Sequence, residues 1–174
     1  MNIRVAVVED NHLLRAGLIV LLRGAAPGEI DVVGEASSGE QALRIIDECQ
    51  PDVVLMDIGL PGMDGIETAK LILEARPDTR IVVLSSFSDD AYLNRAIEAG
   101  VSGYLLKTAT PDTVRAAIRT VAEGDTYFSH EVIQLLAAAR RRAPAKRERL
   151  SSLTPRHRQV LELTAEGLTS KEIA

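Results

Sequence analysis

The sequence is poor in cysteine and aromatic residues, and it has no long apolar run. Cys49 is the only cysteine among 174 residues, so no disulfide can form within the chain. No apolar stretch reaches about 18 residues, the length that a membrane-spanning helix needs, and the N-terminus lacks the pattern of a secretory signal. Aromatic residues make up 3% of the chain against 46% for all hydrophobic residues, so an aliphatic core is expected. These absences predict a soluble cytoplasmic protein.

Charge is unevenly divided along the chain. Residues 1–139 carry 11 Lys and Arg against 21 Asp and Glu, a net charge of −10, whereas residues 140–174 carry 9 against 4, a net charge of +5. An acidic globule followed by a basic tail predicts that the tail faces nucleic acid.

Short apolar runs rich in Val and Ile alternate five times with helical patterns. The predicted strands lie near 3–8, 31–35, 53–57, 81–85 and 103–106. The predicted helices lie near 12–24, 38–49, 65–75, 89–99 and 111–123. This alternation predicts the α/β class, with a doubly wound, five-stranded parallel sheet.

Acidic and polar residues follow the ends of four predicted strands. They are Glu9, Asp10, Asp57, Ser85 and Lys107. The carboxyl ends of parallel strands form one crevice, so these side chains are expected to converge. Mg²⁺ prefers oxygen ligands, and the three carboxylates therefore predict a magnesium site.

One of these carboxylates can also attack phosphorus and form an aspartyl phosphate. Asp57 is the best candidate, because it stands alone at the end of the central strand and an open loop follows it. Lys107 would neutralise the phosphoryl oxygens during transfer. A hydroxyl could rotate onto the new phosphate, and spacing alone leaves both Ser85 and Ser86 open for this role.

The last part of the chain reads as a linker followed by an incomplete helical domain. A sixth helix is predicted near 129–142, and the basic stretch 140–149 has no apolar period. Thr154 and Pro155 then open a helix, and another begins near 169–174. Such a segment is too short to bury a core, so we expect the 174 residues to be part of a longer protein.

Several motifs resemble the receiver domain of two-component response regulators. The matching segments are Val-Val-Glu-Asp at 7–10, Leu-Met-Asp-Ile at 55–58, Pro-Gly-Met-Asp-Gly at 61–65, Leu-Ser at 84–85 and Gly-Tyr-Leu-Leu-Lys at 103–107. The similarity covers about residues 3–125. It implies a flavodoxin-like sheet with strand order 2-1-3-4-5.

The resemblance also implies a role for each site residue. Asp57 would be the phosphoacceptor, and Lys107 would be the phosphate-binding lysine. Ser85 and Tyr104 would form a switch pair. The ligands of Mg²⁺ would be Glu9, Asp10, Asp57 and the backbone carbonyl of Gly59.

The chain departs from the family in two places. Glu9 replaces a frequent aspartate, and Thr108 stands where many receivers have a proline after a cis bond. A cis bond before a non-proline residue costs about 3–4 kcal/mol, so we expect the Lys107-Thr108 bond to be trans.

A second resemblance covers the C-terminal segment. Leu-Thr-Pro-Arg at 153–156 and Glu-Gly-Leu-Thr-Ser-Lys-Glu-Ile-Ala at 166–174 are similar to the start of a LuxR-type helix-turn-helix. In the NarL/FixJ group such a domain follows a receiver, and its recognition helix would lie beyond Ala174. The expected division is a receiver at 1–125, a helical and basic linker at 126–150 and the first part of the helix-turn-helix at 151–174.

Together the resemblances imply a response regulator that a sensor histidine kinase phosphorylates on Asp57 and that controls transcription. They imply a homodimer after phosphorylation, no membrane partner, and specific DNA binding only by the full-length protein. Beyond its own autophosphorylation, the chain is not expected to be an enzyme.

An alternative is a Mg²⁺-dependent phosphatase or phosphotransferase with an aspartyl nucleophile. Such enzymes of the haloacid-dehalogenase type use a second aspartate two residues after the first, where this chain has Gly59. A third possibility, an interaction module that is independent of phosphorylation, is disfavoured by the intact carboxylates, Ser85 and Lys107.

Overall fold

The structure, a computed structural model, describes residues 2–24, 28–86 and 90–134. The expected basic linker and helix-turn-helix segment lie outside the described residues, as does the predicted sixth helix beyond residue 134. The strands are β1 (Ile3–Val8), β2 (Ile30–Ala36), β3 (Val53–Asp57), β4 (Arg80–Ser85), β5 (Gly103–Leu106) and β6 (Tyr127–Phe128). The helices are α1 (His12–Arg23), α2 (Gly39–Cys49), α3 (Gly65–Ala75), α4 (Asp90–Glu98) and α5 (Pro111–Ala122). None of the helices in the described part of the chain is long and apolar enough to cross a membrane.

The strands form one parallel sheet in the order β2-β1-β3-β4-β5-β6. The expected order of the first five strands is confirmed, but the expected count of five is wrong because β6 adds a sixth strand beside β5. Backbone pairing holds β6, with the Tyr127 amide donating to the Ser102 carbonyl at 2.9 Å. Two residues are too few to show an alternating apolar pattern, so this strand has no recognisable signal in the sequence.

Capping side chains begin four of the five helices directly after the strand-end loops. Asn11 caps α1, Ser38 caps α2, Asp64 caps α3 and Thr110 caps α5, and each accepts a hydrogen bond from the backbone amide three residues further on. Such caps satisfy amides that have no partner within the helix. They fix where each helix starts, and therefore the length of each loop at the carboxyl edge of the sheet.

The core is aliphatic and lies on both faces of the sheet. Every residue of the central strand β3 is buried, as expected when helices cover both faces of a parallel sheet. One large cluster joins the strands to Leu18 and Leu22 of α1 and to Ile118 and Val121 of α5. This packing holds the end of β3, and with it Asp57, in a fixed position.

Gly65 brings α3 into direct contact with the end of β3. A Cβ atom at this position would lie 1.9 Å from the carbonyl oxygen of Asp57, far closer than the 3.0 Å below which real Cβ atoms essentially never make contacts. The Gly65 amide also donates to the Ile58 carbonyl at 2.9 Å. Only glycine permits this approach, so the start of α3 supports the backbone that carries Asp57.

Candidate functional site

Three carboxylates meet at the carboxyl edge of the sheet. Glu9 directly follows β1 and Asp57 ends β3, and these neighbouring strands pair Val8 with Met56. One oxygen from each of Glu9, Asp10 and Asp57 lies within 4.8 Å of the other two. The structure thus brings together the three acidic residues that the sequence predicted as metal ligands.

Lys107 joins this cluster at the same edge of the sheet, from a strand two positions away from β3. It follows β5, and its ammonium reaches past β4 to lie 2.9 Å from Oδ2 of Asp57 and 2.8 Å from Oε2 of Glu9. Its amide donates to the Ser85 carbonyl at 2.8 Å, which fixes the backbone at this point. The predicted convergence of Lys107 with the carboxylates is therefore observed.

Burial governs the electrostatics of the cluster. Glu9 is only 1% exposed, and burial is the main reason why its pKa is raised, with the nearby Asp57 charge adding to the effect. Lys107 and the Asn11 amide partly oppose this rise. Burial also acts most strongly on Lys107, where it lowers the pKa, but contacts with Glu9 and Asp57 outweigh it and the net pKa is raised. Lys107 therefore stays charged, while burial and the neighbouring Asp57 charge disfavour the ionised form of Glu9.

The donor atoms at this site fit a divalent cation. Oε2 of Glu9 is buried and forms an ion pair with Lys107, but the contact is not a well-aligned hydrogen bond and no other described group donates to this oxygen. Hard carboxylate oxygens grouped this closely are the ligands that Mg²⁺ takes in proteins. Glu9, Asp10 and Asp57 could therefore hold such an ion.

The turn between β1 and α1 is tied down by its own hydrogen bonds. The Asn11 amide donates to Oε1 of Glu9 at 3.2 Å, and the Glu9 amide donates to the Ala36 carbonyl at 3.0 Å. Nη1 of Arg15 donates to the Glu9 carbonyl at 2.8 Å. Sequence reasoning missed Arg15, although there was a signal. A charged residue at this position shares the helix face of the buried Leu18 and Leu22.

Gly59 lies beside the Asp57 carboxylate. A Cβ atom on Gly59 would come within 3.5 Å of Oδ2 of Asp57, which is an ordinary contact distance. The loop is bent by a hydrogen bond from the Leu60 amide to the Ile58 carbonyl at 2.9 Å and by a positive φ of 76° at Gly62. The position agrees with a ligand role for the Gly59 carbonyl, which stays a prediction.

The two residues predicted as a switch pair are both buried. Ser85 ends β4 and is fully buried, whereas the neighbouring Ser86 is exposed. Tyr104 on β5 is 1% exposed, so its ring already occupies an inward position in this structure. If Tyr104 acts as a switch, its second state would be an outward one, which differs from the position in this structure. The peptide bond between Lys107 and Thr108 is trans, as expected.

Comparison with known proteins identifies both parts of the chain. Residues 5–119 match the response regulator receiver domain, and residues 151–174 match the luxR family of bacterial regulatory proteins. The chain is 40% identical over 171 residues to the transcriptional regulatory protein LiaR of Bacillus subtilis (strain 168), which covers 98% of this chain and 80% of LiaR.

Solved structures show the same fold. The crystal structure of a LuxR-family two-component response regulator from Aurantimonas sp. SI85-9A1 matches with a TM-score of 0.76 and 33% identity, covering 80% of this chain and 99% of that one. A structure of two RcsB dimers bound to two parallel DNAs matches with a TM-score of 0.76 and 25% identity, covering 100% of this chain and 82% of that one. The order of the two matched segments and the identity to LiaR place this chain among the two-component response regulators, with a receiver domain followed by a LuxR-type helix-turn-helix segment.

Proposed function

We propose that Asp57 accepts a phosphoryl group from a sensor histidine kinase and that this event controls transcription. The observation that carries the proposal is the position of the Asp57 carboxylate. It lies 2.9 Å from the Lys107 ammonium and within 4.8 Å of the carboxylates of Glu9 and Asp10. A nucleophile, a cation for the phosphoryl oxygens and a set of metal ligands are the parts that phosphoryl transfer needs.

The chain's own residues would act as follows. An oxygen of Asp57 forms a bond to phosphorus while the bond from phosphorus to the kinase histidine nitrogen breaks, and the departing imidazole takes a proton from water. Lys107 is placed to neutralise charge on the phosphoryl oxygens, because its ammonium already contacts Asp57. Mg²⁺, held by Glu9, Asp10, Asp57 and the Gly59 carbonyl, would supply further charge neutralisation.

Ser85 and Tyr104 would then pass the signal to the surface. Ser85 lies at the end of β4, next to the strand that carries Asp57, so its hydroxyl is a candidate to contact the new phosphate. Tyr104 lies on the next strand, β5, and its buried ring would be stabilised in the inward position. This proposal is a two-state switch that phosphorylation biases.

The domain division supports DNA as the final target. The receiver would occupy residues 1–125, the linker 126–150 and the first part of the helix-turn-helix 151–174, with a basic C-terminal part that suits phosphate contacts. The RcsB structure contains dimers on DNA, and we propose that this chain also dimerises once Asp57 is phosphorylated. The location that we propose is the cytoplasm, where a transcription regulator reaches its operator. The alternative of a metal-dependent phosphatase finds no support, since the relatives that match are transcription regulators.

Phosphorylation of the 174-residue chain by acetyl phosphate tests this function. Mass spectrometry should show one added phosphoryl group that requires Mg²⁺ and is absent in Asp57→Asn. Asp112→Asn is the matched control, since the Asp112 side chain is 91% exposed and is not one of the clustered carboxylates. An unchanged phosphate yield in Asp57→Asn would remove Asp57 as the acceptor.

A further inference from the structure

Arg15 joins the carboxyl ends of β1 and β2 through two contacts. Its Nη1 donates to the Glu9 carbonyl at 2.8 Å, and its Nε donates to Oε2 of Glu35 at 3.0 Å. The Arg15 side chain is 14% exposed, whereas that of Glu35 is 59% exposed. A largely buried guanidinium therefore directs one of its donors at the backbone of a predicted metal ligand.

The contact with Arg15 completes the restraint of Glu9. The Glu9 amide is held by Ala36 of β2, and Oε1 accepts the Asn11 amide. The Glu9 carbonyl lies just beyond the last residue of β1, and Arg15 supplies a donor to it. The remaining oxygen, Oε2, lies 2.8 Å from the Lys107 ammonium within the cluster. The backbone is held at the amide and the carbonyl, and the side chain is held at both carboxylate oxygens, so Glu9 is restrained along its whole length.

We infer that Arg15 is a positioning residue for the cation site, because it holds the turn at Glu9 and Asp10 so that both carboxylates converge on Asp57. The inference rests on the proposed function, since it concerns the same Mg²⁺ site. Groups that orient the ligands of a metal affect its binding without touching it.

The sign of the effect separates positioning from simple charge. A cation close to the cluster repels Mg²⁺ through space, so removing the charge of Arg15 would tighten binding if charge were its whole contribution. If Arg15 orders the ligands, removing it weakens binding instead. Arg15→Lys keeps the charge but lacks the forked geometry that serves two acceptors at once, so it isolates the geometric contribution.

Calorimetric titration of the 174-residue chain with Mg²⁺ measures the difference. We expect Arg15→Gln to raise the Kd about tenfold, the lower end of the usual loss when a group that orients a metal ligand is removed. Arg15→Lys should also weaken binding, and Glu35→Gln should have a smaller effect because the Glu35 carboxylate is mostly exposed. Arg119→Gln is the matched control, since Arg119 is also ion-paired, to Glu29, but lies outside the cluster.

Phosphorylation kinetics supply a second readout. Arg15→Gln leaves Asp57 and Lys107 in place, so its rate with acetyl phosphate should approach the wild-type rate at saturating Mg²⁺ and fall only at low Mg²⁺. Equal or tighter Mg²⁺ binding by Arg15→Gln, or a rate that stays low at saturating Mg²⁺, overturns the inference. Thermal melting shows whether Arg15→Gln folds. If it does not fold, the other two variants decide, and wild-type Mg²⁺ affinity in both Arg15→Lys and Glu35→Gln also overturns the inference. A wild-type chain that binds no Mg²⁺ refutes the proposed function itself, whereas wild-type binding with no change in the variants refutes only the role of Arg15.

Discussion

Gly65→Ala offers a direct test of how the fold supports Asp57. The new methyl carbon would lie 1.9 Å from the carbonyl oxygen of Asp57 and 2.9 Å from the Cα atom of Ile58, and both are backbone atoms that cannot rotate away. Carbon and oxygen atoms in contact normally stay more than 3 Å apart, so the first turn of α3 has to move away from β3 by more than an ångström. Overpacking in a close-packed interior usually costs about 1–3 kcal/mol, and we expect about 3 kcal/mol here because no side-chain movement relieves the clash.

Urea unfolding of Gly65→Ala measures this cost, and the yield of phosphorylated Asp57 reports its effect on the site. At about 3 °C for each kcal/mol, the melting temperature should fall by roughly 10 °C. Gly17→Ala is the matched control, because this glycine also lies in a helix but has open space around its Cβ position. The control should gain up to about 1 kcal/mol from the better helix propensity of alanine. A Gly65→Ala chain with wild-type stability and wild-type phosphorylation would refute the steric reasoning.

Three further variants test the cluster and the switch. In Glu9→Gln, the free energy of unfolding in metal-free buffer should exceed that of the wild type at pH 7. The folded-state pKa of Glu9 is raised above 4.5, chiefly by burial, so wild-type stability falls as pH rises from 4.5 through the folded pKa, and the advantage of the variant should vanish below pH 4.5. Lys107→Met should lose roughly 3 kcal/mol at pH 7, because it leaves buried carboxylates without a cation, and urea titrations should show a smaller loss as Glu9 becomes protonated. Ser85→Ala should keep most phosphorylation of Asp57 but reduce phosphorylation-dependent dimerisation in sedimentation experiments. A variant of Ser85 that dimerises like the wild type would contradict the switch.

The strands and the site residues could be predicted because their signals are local. Each of the first five strands is a short apolar run, and Glu9, Asp57 and Lys107 stand at or directly after the ends of such runs, so parallel topology brings them to one edge. Both the strand order and the convergence of these residues are confirmed by the structure. The caps of α2 and α5 are also local features, since Ser38 and the Thr110-Pro111 pair are typical helix starts.

The features that escaped prediction depend on contacts between distant parts of the chain. Strand β6 exists because Tyr127 pairs with β5, and the close approach of the two strands is permitted by Gly103, whose Cβ position lies 3.0 Å from the Tyr127 carbonyl. The residues next to Tyr127 and Gly103 in the sequence do not indicate that the two segments pair. Arg15 is similar, because one of its contacts is with Glu35 on β2, 20 residues away, and helix periodicity reveals only that the residue faces inward.

The cluster also shows why burial and function oppose each other at this site. Glu9 is nearly inaccessible and lies beside Asp57, so burial and like charge both disfavour its ionised form and raise its pKa. A hydrophobic residue in its place would suit the fold better but could hold no cation. Lys107 offsets part of the repulsion, and it does so from a position where it can also meet a phosphoryl group on Asp57. Under the proposed function, the same lysine would neutralise the carboxylates before phosphorylation and the phosphoryl group after it. Arg15 contacts the Glu9 carbonyl and Gly65 packs against the Asp57 carbonyl, so both contacts bear on the backbone that carries the carboxylates.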